Sequence, residues 1–129
     1  MTTPLSDNAD AADDPYWRAR HQLASAARQL NEKLISTDIP PAEAMALSHE
    51  LSRFTETLNR FPHVGGLMDM ARRRPTDGMD TIMGEFVAMA GRSHPCSPEL
   101  TWHAEPQQLR GTVTFGQAFE GPPGHVHGG

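Results

Sequence analysis

The chain has 129 residues, 37% of them apolar and 21% charged, with 11 Gly and 11 Pro. That suits one small domain rather than two, and no run nears the roughly 18–20 apolar residues that span a bilayer. The net charge of −5 repels a phosphate backbone over most of the surface, which speaks against nucleic-acid binding. The first residues have neither the basic n-region nor the apolar h-region of a secretory signal. A single cysteine, Cys96, allows no internal disulfide and no Cys-based zinc knuckle, so the expected compartment is the cytoplasm.

Residues 1–13 read as a disordered acidic leader, too poor in large apolar side chains to offset the cost of ordering. A helix should begin at Asp14, a good N-cap, with Pro15 at the first helical position. Leu23, Ala27, Leu30 and Leu34 follow at steps of four, three and four, one helical stripe that stops near Ile35. Tyr16 and Trp17 sit where they can staple its start. Thr37 or Asp38 is expected to cap a second helix, with Pro41 in its first turn. The stripe of this helix is Ala44, Leu47, Leu51, Phe54, Leu58 and Phe61, and its outward face carries Glu43, Glu50, Arg53, Glu56 and Arg60. Pro62 and Gly65-Gly66 end it. Two amphipathic helices joined by a short Pro-containing turn predict an antiparallel α-hairpin over 14–62, with apolar surface left to dock on something else.

Residues 63–97 read as an irregular linker region, interrupted by Gly and Pro throughout. A short helix and a strand fit the stretch around Met79–Ala90 equally well. After Pro98 the period changes to two. Leu100, Trp102 and Ala104 alternate with Thr101, His103 and Glu105, and Gly111, Val113 and Phe115 alternate with Thr112 and Thr114. Glu105-Pro106-Gln107-Gln108 has turn chemistry, so a β-hairpin of about Leu100–Glu105 and Leu109–Phe115 is expected. A lone hairpin is marginal in water. The Gly- and Pro-rich loop from Gly116 to Gly129 follows.

Three segments carry the chemistry: Val113-Thr114-Phe115-Gly116, Phe119-Glu120-Gly121-Pro122-Pro123-Gly124, and Val126-His127-Gly128-Gly129. Together they resemble the hotdog-fold acyl-CoA thioesterases, in the phenylacetyl-CoA thioesterase-like (PaaI-like) branch with its His-Gly-Gly motif after a strand. Gly91-Arg92-Ser93-His94-Pro95 through Leu100 is similar to the segment leading into the first strand of relatives with a helical N-terminal extension. The resemblance implies an α+β fold: the helical extension, then the first strands of an incomplete hotdog domain over 98–129. It implies hydrolysis of an acyl-CoA thioester to free acid and coenzyme A, with no cofactor and no metal, and a homo-oligomer when the full domain is present. In the family the motif opens a central helix. Carried onto this chain, the Gly129 amide, with Gly128, would polarise the thioester carbonyl, and His127 would shape that loop.

The physics of such a loop is independent of the family. Thioester hydrolysis builds negative charge on the carbonyl oxygen, and backbone N–H groups at a helix start are placed to receive it. Glycines there let the carbonyl approach without a Cβ in the way. The family also uses an Asp or Glu about two turns into that helix, and no position of 1–129 matches it. Residues 1–129 alone are therefore expected to have little or no activity. The alternative is a non-catalytic helical module, derived from a truncated thioesterase, that binds a partner through residues 15–61. A dehydratase-like hotdog is a third option, since the same scaffold polarises thioester carbonyls for other reactions.

Other motifs have blander readings. His125 and His127 could bind a metal, but two His on a Gly-rich terminus make a weak, open site. Cys96 lies near His94 without an evident third group, so a structural Cys is the commoner explanation. Arg72-Arg73-Arg74 could meet coenzyme A phosphates, although a solvated charge run is commoner. The Met-rich stretch from Met68 to Met89 reads as core filling rather than an acyl-chain surface. No role is assigned to Glu120.

Overall fold

The computed structural model describes residues 14–88 and 90–126; the acidic leader expected over 1–13 lies outside them. The fold is α+β, with helices first and strands after. Helix α1 is Pro15–Ser36 and α2 is Pro41–Thr57, tightening to a 3-10 turn at Leu58–Arg60. Two short helices follow, α3 at Leu67–Arg73 and α4 at Met79–Phe86. Strands β1 (Glu99–Glu105) and β2 (Gln108–Thr114) pair antiparallel, from Glu99 opposite Thr114 to Glu105 opposite Gln108.

Helix α1 starts as its sequence dictates. The Asp14 side chain accepts a hydrogen bond from the Tyr16 amide at 2.8 Å, and Pro15 fills the first position. The face that α1 turns inward differs from the apolar stripe. Leu23, Leu30 and Leu34 are exposed, whereas Trp17 and Ala24 are buried. Trp17 belongs to a small core with Met70 and Ile82, flanked by Tyr16, Val64, Ala71 and Phe86. The 63–97 stretch is thus less irregular than its Gly and Pro content suggests. Gly66 and Gly78, at φ +100° and +80°, stand immediately before α3 and α4. Each opens a helix short enough for its punctuation to mask its period. Around Met79–Ala90 the element is a helix.

Helix α2 starts at Pro41, with Pro40 preceding it and no side-chain cap. Thr37 and Asp38 therefore do not cap it. Each proline biases the residue before it away from helical angles, which delays the start to Pro41. The two apolar stripes do not bury one another: Leu30, Leu34, Leu47 and Leu51 are all exposed, and α2 has no buried residue. The backbone is extended at Thr37 and Pro40, and the inward face of α1 is already taken up by other segments.

The hairpin occurs as expected, with its strand bounds shifted by one residue. Every residue of β2 is exposed, whereas Leu100 near the start of β1 is half-buried. Beyond it, Gln117–Phe119 forms a 3-10 turn, and Glu120 bridges antiparallel to Val126.

Candidate functional site

One stripe of α1 organises the rest of the molecule. Trp17, His21, Ala24, Arg28 and Glu32 follow at steps of four, three, four and four, which places them on one helical face. Four of these side chains each hold a different segment. The Trp17 indole donates to Asp77 Oδ2 at 3.1 Å. His21 Nε2 lies 2.7 Å from Glu85 Oε2 on α4. Arg28 Nη1 donates to the backbone carbonyls of His94 at 3.0 Å and Arg92 at 3.4 Å. Glu32 accepts the amides of Gln117 and Ala118, the latter at 3.1 Å.

The N-terminal clamp is the tightest. Arg74 pairs with Asp14 at 2.7 Å and with Asp77, and its guanidinium stacks 3.8 Å from the Tyr16 ring centroid. Burial works to lower its pKa, but Asp77 and Asp14 outweigh that and the net shift is upward. Arg74 is therefore neither a solvated charge nor free to meet a phosphate. Arg73 is also engaged, donating to the His63 carbonyl at 3.1 Å and pairing with Asp69 at 3.6 Å. The Gly65 amide donates to Asp69 at 2.9 Å and, with Arg73 and Arg72 adding to it, holds that carboxyl below its ordinary range.

At the centre of α1 lies the cluster that most resembles a reactive site. Glu85 is buried and its Oε2 receives two partners: His21 and the Ser93 hydroxyl, which donates at 2.6 Å. The Ser93 amide also donates to the Glu85 carbonyl at 3.1 Å. A serine, a histidine and an acid thus meet, but in the wrong order for nucleophilic catalysis. A Ser–His–acid triad needs the imidazole between hydroxyl and carboxylate. Here the carboxylate is central, and Ser93 donates to it rather than to His21. The arrangement fixes the 91–97 segment against α1 and satisfies a buried carboxylate, as burial requires. Gly91 makes the approach possible. A Cβ there would meet the Glu85 carbonyl and lie 2.7 Å from that of Val87.

Beside this cluster is a cleft of about 230 Å³ with His21, Ser25, Arg28, Arg92 and Ser97 on its walls. Ligand sites of drug size run to about 300–1,000 Å³, so the cleft can take a small polar group and not an acyl-CoA. Arg28 Nε is buried with no partner among the described residues, while its Nη1 is committed to carbonyls. At the mouth of the same segment His94 Nδ1 accepts the Cys96 amide at 3.1 Å, and Cys96 is exposed. The ring nitrogen is thus engaged by backbone. Among the described residues no group of three or more His, Cys, Asp or Glu is arranged to hold a metal.

The residues expected to carry the oxyanion chemistry, His127, Gly128 and Gly129, lie outside the described residues. The loop that leads to them is ordered by local contacts. Gly121 N donates to the His125 carbonyl and His125 N to that of Pro122, both at 2.9 Å. Gly124, at φ +82°, supplies the left-handed residue. Phe115 and Phe119 meet edge to face at 5.5 Å. Glu32 anchors the start of this loop to α1. No sequence motif announces the His21–Glu85–Ser93 cluster or the Glu32 anchor. The available signal was the polar stripe on α1, which runs parallel to the apolar one.

No family model, curated protein or solved structure matches this chain. Among the described residues no helix is long and apolar enough to cross a membrane.

Proposed function

We propose that the chain is the front portion of a cytoplasmic acyl-CoA thioesterase that hydrolyses its substrate to free acid and coenzyme A without a cofactor. One observation carries the reading. A β-hairpin runs into a Gly- and Pro-rich turn, closed by the Glu120–Val126 bridge and tied by Glu32 to α1, and the next residues in the chain are His127-Gly128-Gly129. A lead-in held by these contacts suits an oxyanion site, because a catalyst gains most from donors that need no reorganisation as charge develops. The amides of Gly128 and Gly129 would receive the thioester oxygen, and His127 would orient them. No residue of 1–129 takes the part of the family's general base, so this segment by itself should turn over little or no substrate.

The test is thiol release from a panel of short, long and aromatic acyl-CoA substrates, using the protein isolated from its own source. Hydrolysis reduced about 100-fold or more in a Gly129→Val variant is the expected result: the amide stays, but the added side chain keeps the carbonyl from reaching it, a loss on the scale of one oxyanion donor. Absence of hydrolysis by the protein from its own source, substantial turnover by residues 1–129 alone, or a Gly129→Val variant as active as its parent, overturns it. The second reading, a non-catalytic module that binds through residues 15–61, is favoured by one observation: the stripe of α2 is uncovered.

A further inference from the structure

The uncovered stripe has a pattern that a general sticky surface would not have. Ala44, Leu47, Leu51, Phe54, Leu58 and Phe61 are spaced three, four, three, four and three. That is the a/d repeat of a coiled-coil seam rather than the wider stripe of a helix packed on a globular core. All six are exposed, from 37% at Leu51 to 55% at Phe61 among the large ones. The 3-10 turn at Leu58–Arg60 tightens only the last step.

We propose that α2 pairs with α2 of a second copy of this chain, antiparallel about a two-fold axis between Ser52 and Arg53. In that register Leu51 faces Phe54 of the other copy, Leu47 faces Leu58, and Ala44 faces Phe61. Every seam residue finds a seam residue, and each layer sets a smaller side chain against a larger or equal one. A parallel, in-register pair would instead stack Phe54 on Phe54 and leave Ala44 against Ala44, making uneven layers that pack poorly.

Charge favours the same arrangement. Glu43, Glu50, Arg53 and Arg60 share one flank of the seam, acidic toward the start of α2 and basic toward its end. An antiparallel two-fold brings that flank against itself reversed. Glu50 then lies about 3 Å along the axis from Arg53 of the other copy, and Glu43 about 3 Å from Arg60, offsets that their long side chains span. In a parallel pair this flank would face Ser48 and Thr55, with no charge to meet. The antiparallel pair also opposes the two helix dipoles.

The area sits at the lower bound for a specific interface. The exposed parts of the six seam residues amount to about 500 Å² per chain, about 1,000 Å² across the pair when all of it is covered, and the Glu and Arg stems add more. Stable interfaces bury about 1,200–2,000 Å² in total. The pairing does not depend on thioester hydrolysis, and the two are read out separately, by mass and by thiol release.

Sedimentation equilibrium on the whole chain tests it. The expected result is a concentration-dependent species of twice 14.1 kDa. Leu51→Glu should weaken association at least about 100-fold by burying an unpaired charge in the seam. Its near-ultraviolet circular dichroism should be unchanged, since Leu51 takes no part in the Trp17 core. Glu50→Arg and Arg53→Glu should each weaken self-association by about tenfold, and mixing the two should restore a heterodimer. A monomer at concentrations up to about 100 µM, or a dimer indifferent to Leu51→Glu, overturns the proposal. So does a failure of the two charge variants to pair with each other.

Discussion

Trp17 offers the sharpest stability test. Its side chain is fully buried, edge-on to Tyr16 at 4.9 Å and to Phe86 at 5.9 Å, with its indole N–H on Asp77. Burying about 200 Å² of aromatic surface contributes at most about 5 kcal/mol, and measured Trp or Phe to Ala truncations cost about 3–5 kcal/mol. The orphaned Asp77 adds little, because it keeps Arg74. The buried apolar set among the described residues is small: Trp17, Ala24, Met70 and Ile82. Total stability should thus sit near the low end, about 5 kcal/mol. Trp17→Ala should leave the 64–86 region unfolded or nearly so. Trp17→Phe keeps most of the area and loses one hydrogen bond, for about 1–2 kcal/mol. Urea unfolding should be followed by near-ultraviolet circular dichroism or amide NMR spectra, because far-ultraviolet signal mixes in the separate helix α2. A Trp17→Ala chain within about 1 kcal/mol of the parent would refute the assignment of Trp17 as the centre of the core.

Three further outcomes follow from the same contacts. Gly91→Ala should destabilise by about 1–3 kcal/mol in urea titration, because its Cβ would press on the carbonyls of Glu85 and Val87; a neutral change would show that the 87–93 turn is looser than described. Glu32→Gln and Gly116→Ala should share one phenotype, faster hydrogen exchange at the Gln117 and Ala118 amides, since a Cβ on Gly116 would displace the Glu32 carboxylate; unchanged exchange in both would remove Glu32 as the anchor. Asp69 has its pKa lowered in the folded chain, first by the Gly65 amide. Its contribution is therefore complete above the ordinary carboxylate range and is lost as pH falls through that range and below it; a carboxyl resonance titrating at the ordinary value would contradict the bond.

Local signals were the legible ones. Asp14-Pro15 announced the start of α1, and the alternation after Pro98 gave both strands of the hairpin. What hid from the sequence was everything carried by polar side chains at long range. The inward face of α1 holds His21, Arg28 and Glu32, each bound to a partner more than sixty residues away. A reading that follows apolar periodicity selects Leu23, Leu30 and Leu34 instead, and these face outward. Helices α3 and α4 were obscured for a different reason. At 7 and 8 residues they span barely two turns, so Gly and Pro at their ends dominate any window. For α2 the seam itself was visible at once, but periodicity says only that a face is apolar, never what covers it. The His127-Gly128-Gly129 motif was legible only as a sequence pattern, and it lies outside the described residues.

The clamps on α1 also make its length a measuring device. Each residue of an α-helix advances 1.5 Å and turns about 100°. A single residue inserted between Ala24 and Arg28 would leave Trp17 and His21 in place. It would swing Arg28 and Glu32 a quarter-turn or more away from the carbonyls and amides that they hold. Substitutions on the solvent side of α1 cost little by comparison. The spacing between clamps, more than the identity of the residues between them, sets where the loop that precedes His127 begins.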